Sequence, residues 1–148
     1  MRSVKIGIRL LIALGLVTAP TLRAQETLFK VVVPAAMPGA TIKRAMLADV
    51  FFKKITRWGD GTAISPVDQS AASAVRISFS KQVLGKPVAG VQIYWMRQMS
   101  APGGSSPPSV KSSDDDVIAF VEAKPGAIGY VSEAAPLPPA VKELRVTE

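Results

Sequence analysis

The stretch Lys124-Pro125-Gly126-Ala127-Ile128-Gly129-Tyr130-Val131 constrains this chain more than any other. The proline ends whatever helix precedes it, because a residue before proline is pushed out of the helical region. A glycine turn follows, and then a short apolar run that reads as a buried strand. Glycines at 126 and 129, so close to a hydrophobic strand, predict close approach by another backbone or by a ligand. The segment is thus a helix-to-strand junction that something else must pack against tightly.

The start of the chain has a different character. Arg2, Lys5 and Arg9 make a basic opening, and Leu10 to Val17 make an apolar run broken only by Gly15. Thr21-Leu22-Arg23-Ala24 follows, and the layout is that of a secretory signal peptide spanning residues 1–24. The apolar run is too short to span a bilayer as a stable helix, so no stable membrane span is expected once the signal is removed. Cleavage after Ala19 and an uncleaved anchor are the other readings of the same residues. The signal also changes the charge argument. The chain carries 18 Lys+Arg against 11 Asp+Glu, a formal +7. Four of those cations (Arg2, Lys5, Arg9, Arg23) lie in the signal, which holds no acid, so the remainder carries +3. Its basic residues are scattered without a basic run, so no nucleic-acid partner is expected.

There is no histidine and no cysteine. Histidine-based acid–base catalysis, the commonest metal ligand and any disulfide framework are therefore excluded. Residues 25–148 are long enough for one domain with one core, and no internal repeat divides them. Leu28 to Val33 reads as a buried strand ended by Pro34. Thr41 is placed as the N-cap of a helix over 42–55, with Leu47, Val50, Phe51 and Ile55 on one face. Asp49 and Lys53 are spaced for an i,i+4 pair. A short strand over 63–67 follows, then a polar turn from Asp68 to Ser73. A helix ending near Leu84 carries Val75, Phe79 and Val83, and Gly85 and Pro87 stop it. Another helix over 88–99 puts Val91, Trp95 and Met99 in a stripe. Residues 101–109 are a Gly/Pro loop, and Ser113 caps a helix with Val117, Ile118 and Val121 inward. After the strand over 127–131, Pro136 to Pro139 forms a stiff connector and 143–147 a final strand. Strands alternating with helices predict an α/β fold, a three-layer αβα sandwich with a mainly parallel sheet.

The order of these segments carries a resemblance. "Leu-Ala-Asp-Val-Phe-Phe-Lys-Lys-Ile-Thr-Arg-Trp" (47–58) is followed by "Pro-Val-Asp" (66–68), "Ser-Ala-Val-Arg-Ile-Ser-Phe" (73–79), "Tyr-Trp" (94–95) and "Pro-Gly-Ala-Ile-Gly-Tyr-Val" (125–131). Over most of residues 28–132 the chain resembles the phosphate ABC transporter substrate-binding protein family, within the type 2 periplasmic binding protein superfamily. The likeness is to short members the size of a single lobe. Full-size members have two α/β lobes and hold an anion in the cleft with helix N-terminal amides and Ser, Thr and Arg side chains. A Ser-Gly-Thr-Arg turn opens one such helix. The matching positions here are Ser73-Ala74-Val75-Arg76: Ser73 and Arg76 keep the pattern, while Ala74 and Val75 depart from it. The resemblance implies anion binding by Ser73 and Arg76, with Thr41 and the amides after it as a second candidate terminus. The competing reading makes Ser73 and Thr41 simple N-caps and Arg76 a solvated helix residue.

The expectation is an exported, periplasmic, non-enzymatic solute-binding-like protein that takes phosphate or another oxyanion for ABC-type uptake, with no cofactor and no metal. One lobe supplies one wall of a cleft, so an envelope protein or a second copy would complete it. The alternative is an interaction module of the envelope that kept the lobe and lost the pocket. Other patterns carry less. Ser78 and Lys81 have the Ser-x-x-Lys spacing of serine acyl-enzymes without its companion motifs, and read as surface residues. Asp114-Asp115-Asp116 reads as an acidic first helical turn rather than a calcium loop. Gly103-Gly104 lacks the Gly-Lys-Ser/Thr of a phosphate loop. Trp58, Tyr94 and Trp95 read as packing residues.

Overall fold

The computed structural model describes residues 28–148, and the expected signal peptide over 1–24 lies outside the described residues. Strand β1 (Phe29–Pro34) comes first, followed by β2 (Thr41–Lys43) and helix α1 (Arg44–Phe51). Next are β3 (Ser65–Gln69), α2 (Ala74–Gln82), α3 (Val88–Ser100) and β4 (Ser109–Lys111). Then come α4 (Asp114–Ala123), β5 (Ala127–Ser132) and β6 (Val141–Thr147). The strands form one sheet in the order β2-β6-β1-β5-β3-β4. Strand β1 runs antiparallel to both of its neighbours, β5 and β6. The pairs β2·β6, β3·β4 and β3·β5 are parallel. Five strands therefore share one direction and β1 alone is reversed, so the sheet is mostly parallel, as the sequence predicts.

The central strands are apolar on both faces because both faces are covered. Val31 and Val33 of β1 join Ile128 and Tyr130 of β5 in a core with Leu47, Phe51, Phe79, Val91 and Trp95. Val32, Ala127 and Val131 point the other way, against Val117 and Val121 of α4. Helices α1 to α3 thus cover one face and α4 the other, which gives the expected three layers. Trp95 is buried and Trp58 packs against the same core, in keeping with a packing role.

The two glycines of the junction behave as their position predicts, and both close approaches are made by protein. A side chain at Gly126 would overlap the carbonyl oxygen of Ala63 and stand 3.0 Å from its carbon. A Cβ at Gly129 would lie 2.6 Å from Val67 Cγ1 and 2.7 Å from Val117 Cγ1. The indole of Trp58 donates to the Gly126 carbonyl at 3.2 Å, which joins two of the segments that carry the resemblance.

Several expectations need correction. Thr41 is not a helix cap: it opens edge strand β2, and α1 begins at Arg44 with Lys43 in the cap position and no side-chain capping bond. The reason is the parallel pairing of Thr41–Lys43 with Arg145–Thr147, far along the chain, which buries Ile42. Helix α1 also ends early. Lys53 takes a left-handed conformation (φ 54), and Lys53 N and Lys54 N donate to Val50 O and Asp49 O, a Schellman-type stop without glycine. The Asp49 partner is accordingly Lys54, at 3.6 Å, and not Lys53. Strand β3 runs on through Asp68 and Gln69, which the sequence reading placed in a turn. Ser78 is buried rather than on the surface. Ser113 does cap α4, accepting from Asp116 N at 3.1 Å.

Candidate functional site

Parallel α/β sheets bind ligands beyond the carboxyl ends of their strands. Here that edge is formed by the ends of β3 and β5 and by the starts of α2 and α4. Asp68 and Gln69 close β3, Tyr130 sits on β5, and Ser73 and Arg76 open α2. Asp68, Gln69 and Arg76 are each only 4–5 % exposed. One carboxylate oxygen of Asp68 pairs with Arg76, and the other accepts from the Tyr130 hydroxyl. The Asp68 side chain also accepts from Gln69 N at 2.9 Å. Phe79, one turn beyond Arg76, stacks on Tyr130 with centroids 3.9 Å apart and planes within 5°. That stacking holds the phenol where it can reach Asp68.

Gln69 extends the network. Its amide nitrogen donates to Asp114 Oδ1 at 2.8 Å and to Tyr130 O at 3.0 Å, and its amide oxygen accepts from Ser73 Oγ at 2.9 Å. Ser73 Oγ in turn caps α2, accepting from Arg76 N at 3.4 Å. Asp114 Oδ1 also receives Ser132 N at 3.2 Å. Polar groups of two strands and two helices are thereby linked in one set, as buried groups require. Among the described residues no group of three or more potential ligands is placed to hold a metal ion.

The sequence-predicted trio is divided by this arrangement. Ser73 and Arg76 do meet on the first turn of α2, but both are engaged within the protein. Arg76 is not a solvated residue; it is buried and ion-paired. Thr41 stands apart, at the amino end of β2 on the far side of the sheet. It lines a separate cavity of about 520 Å³ with Trp58, Asp60 and Met46. Sequence reasoning missed Asp68, Gln69 and Tyr130 as site residues. The one available signal was an acid and an amide at the end of an apolar strand, where a turn was the simpler reading.

Burial pushes the Tyr130 hydroxyl above the usual tyrosine range, and Arg76 pulls it back only in part. Its folded-state value thus exceeds its unfolded one. The resulting stability is fully present below about pH 10 and is lost as pH rises further. Tyr130→Phe should cost about 1.5–3 kcal/mol near neutrality, as expected for a hydrogen bond to a charged acceptor. It should also flatten the alkaline decline, and urea midpoints taken across that range measure both effects. An unchanged alkaline slope in the variant would place the titrating group elsewhere.

No family model and no curated protein matches the sequence. Solved structures do match the fold. An ABC-type phosphate transport receptor from Vibrio cholerae superimposes with a TM-score of 0.60 at 20% identity, covering 80% of this chain and 45% of the receptor. PstS from Borrelia burgdorferi gives 0.61 at 15% identity, covering 81% of this chain and 47% of that one. A phosphate ABC transporter substrate-binding protein from Clostridium perfringens, solved with bound phosphate, gives 0.62 at 17% identity. That match covers 80% of this chain and 44% of the other. The chain spans less than half the length of each of these proteins, and at this identity the likeness shows the fold alone: the α/β arrangement of the part of these phosphate transport proteins that it overlays.

Proposed function

We propose that this chain is an exported, non-enzymatic binding module of the periplasm, built on one receptor lobe, whose partner is another polypeptide rather than a free oxyanion. Export is supported by the signal-like opening and by the fold neighbours. Among the described residues no helix is long and apolar enough to cross a membrane. The neighbours are described as receptors and substrate-binding proteins, which supports a binding role over catalysis.

The observation that carries the reading is the internal use of Arg76 and Ser73. Asp68 compensates the Arg76 charge, and the Ser73 hydroxyl donates to Gln69 Oε1. An anion at a helix N-terminus gains about 0.3–1 kcal/mol from the dipole. Pulling one partner out of a buried ion pair costs about 3–5 kcal/mol. The second term is larger, so there is no net gain from capture. Titration calorimetry of the protein with inorganic phosphate should give no saturable heat. A dissociation constant of about 1 mM or tighter, which is roughly −4 kcal/mol, would overturn this reading.

The second reading is uptake of phosphate or a similar oxyanion, with a second copy or an envelope protein closing the cleft. It is favoured by the likeness to receptors, one of them solved with bound phosphate. The same calorimetry decides between the two.

A further inference from the structure

We infer that a groove running from the α2–α3 junction to the edge strand β4 is a docking site for an acidic, extended peptide segment of a partner protein. This rests on the reading above, and names the surface and the chemistry of the partner. Two adjoining cavities make the groove. One, of about 380 Å³, has Arg76 in its lining and is flanked by Trp95, Met96, Met99 and Val110. The other, of about 460 Å³, is lined by Ile77, Lys81, Lys86 and Pro87. They share Ala71 and Val88, so the depression is continuous.

Three observations select the occupant. The first is apolar exposure: Ile77, Met96, Met99 and Val110 are between 53 and 59 % exposed and all line this one groove. Methionines on a binding surface adapt to the side chain they receive.

The second is charge. From Ser70 to Ser113 the sequence has no Asp or Glu, while Arg76, Lys81, Lys86, Arg97 and Lys111 fall within it. Asp68, the one acid lining the groove among the described residues, is buried and already paired. Lys81 and Lys86 are exposed. An acidic segment is therefore attracted, and a second copy presenting the same basic face is repelled.

The third is hydrogen bonding. Among the described residues strand β4 pairs only with β3 and ends the sheet, so its outer edge is open to an added strand. Arg76, nine-tenths buried and in the groove lining, keeps its Nε without a hydrogen-bond partner among the described residues. A fluid anionic membrane would satisfy the charge, but it cannot supply the directional bonds that an open strand edge accepts.

The test is selection of a random dodecapeptide library on the purified protein, followed by fluorescence anisotropy with the enriched peptides. The enriched set should carry two or more acids flanking an apolar residue. Binding should fall at least tenfold on Lys86→Glu and on Met96→Glu. Both positions are exposed, so both variants should melt like the wild type, and Glu122→Lys on α4 should bind normally. No enrichment, an enriched set without acids, or binding unchanged on both groove variants would each overturn the inference. Co-sedimentation with phosphatidylglycerol vesicles in the absence of peptide enrichment would reassign the groove to a membrane surface and overturn it as well. Saturable heat with inorganic phosphate, by contrast, would sink the proposed function and leave a positive peptide result standing.

Discussion

Gly126→Ala will cost this protein about 3 kcal/mol or more, at the upper end of the range for overpacking a core. The added methyl group overlaps the Ala63 carbonyl oxygen, which is backbone and has no rotamer to escape into. The turn itself must move. Its carbonyl accepts from Ser65 N at 3.0 Å and from Trp58 Nε1 at 3.2 Å, so that movement loosens two hydrogen bonds as well. Each is worth about 0.5–1.5 kcal/mol net. For a domain of this size the melting temperature should fall by about 10 °C or more. Gly129→Ala is the informative comparison. Its neighbours are side-chain methyls of Val67 and Val117, which are β-branched and stiff but can shift. The expected cost is about 1–3 kcal/mol, and adding Val117→Ala should return part of it. Thermal and urea melts of the three variants give the order directly. A Gly126→Ala protein within about 0.5 kcal/mol of wild type would mean that the strand junction is not packed as described.

The same junction shows why part of the fold was legible. Val31 to Val33 of β1 and Ala127 to Val131 of β5 are continuous apolar runs because α1 to α3 press on one face and α4 on the other. Ser113 and Ser73 could be read as caps because capping is local, closing over three residues. β2 and β4 were not legible. Each is three residues long, and β2 exists only through its pairing with Arg145–Thr147 at the other end of the chain. The site was hidden for the same reason. Asp68 and Gln69 look like turn residues in sequence because burying them is unfavourable alone. Their burial is offset by Tyr130, 61 or 62 positions away, and by Asp114, 45 positions beyond Gln69. The resemblance put Ser73 and Arg76 together at the start of one helix, and α2 does open there, with Ser73 as its N-cap. It had no way to register that a carboxylate eight residues before Arg76 would fold back onto it.

That carboxylate decides what Arg76 is for, and a double-mutant cycle measures it. Arg76→Met leaves Asp68 buried without its cation, and Asp68→Asn leaves the guanidinium buried without its anion. Each single change should cost about 3–5 kcal/mol. The double variant should recover most of this and end within about 2 kcal/mol of wild type. Asparagine is the right partner change, because its side-chain oxygen still accepts from the Tyr130 hydroxyl and from Gln69 N, where leucine would strand both donors. The cycle also has a functional arm. In the wild type the ion pair leaves no net charge for an oxyanion, so millimolar phosphate should not raise the melting temperature. In Asp68→Asn the guanidinium is uncompensated beside the first turn of α2, and phosphate should stabilise that variant. Additive single losses, with no recovery in the double, would show that the two side chains do not act as a pair. Arg76 would then be free to meet an anion, and the uptake reading would be the better one. Strong coupling together with phosphate-induced stabilisation confined to Asp68→Asn would show that Asp68 is the one residue keeping Arg76 from an anion, as the proposed reading requires.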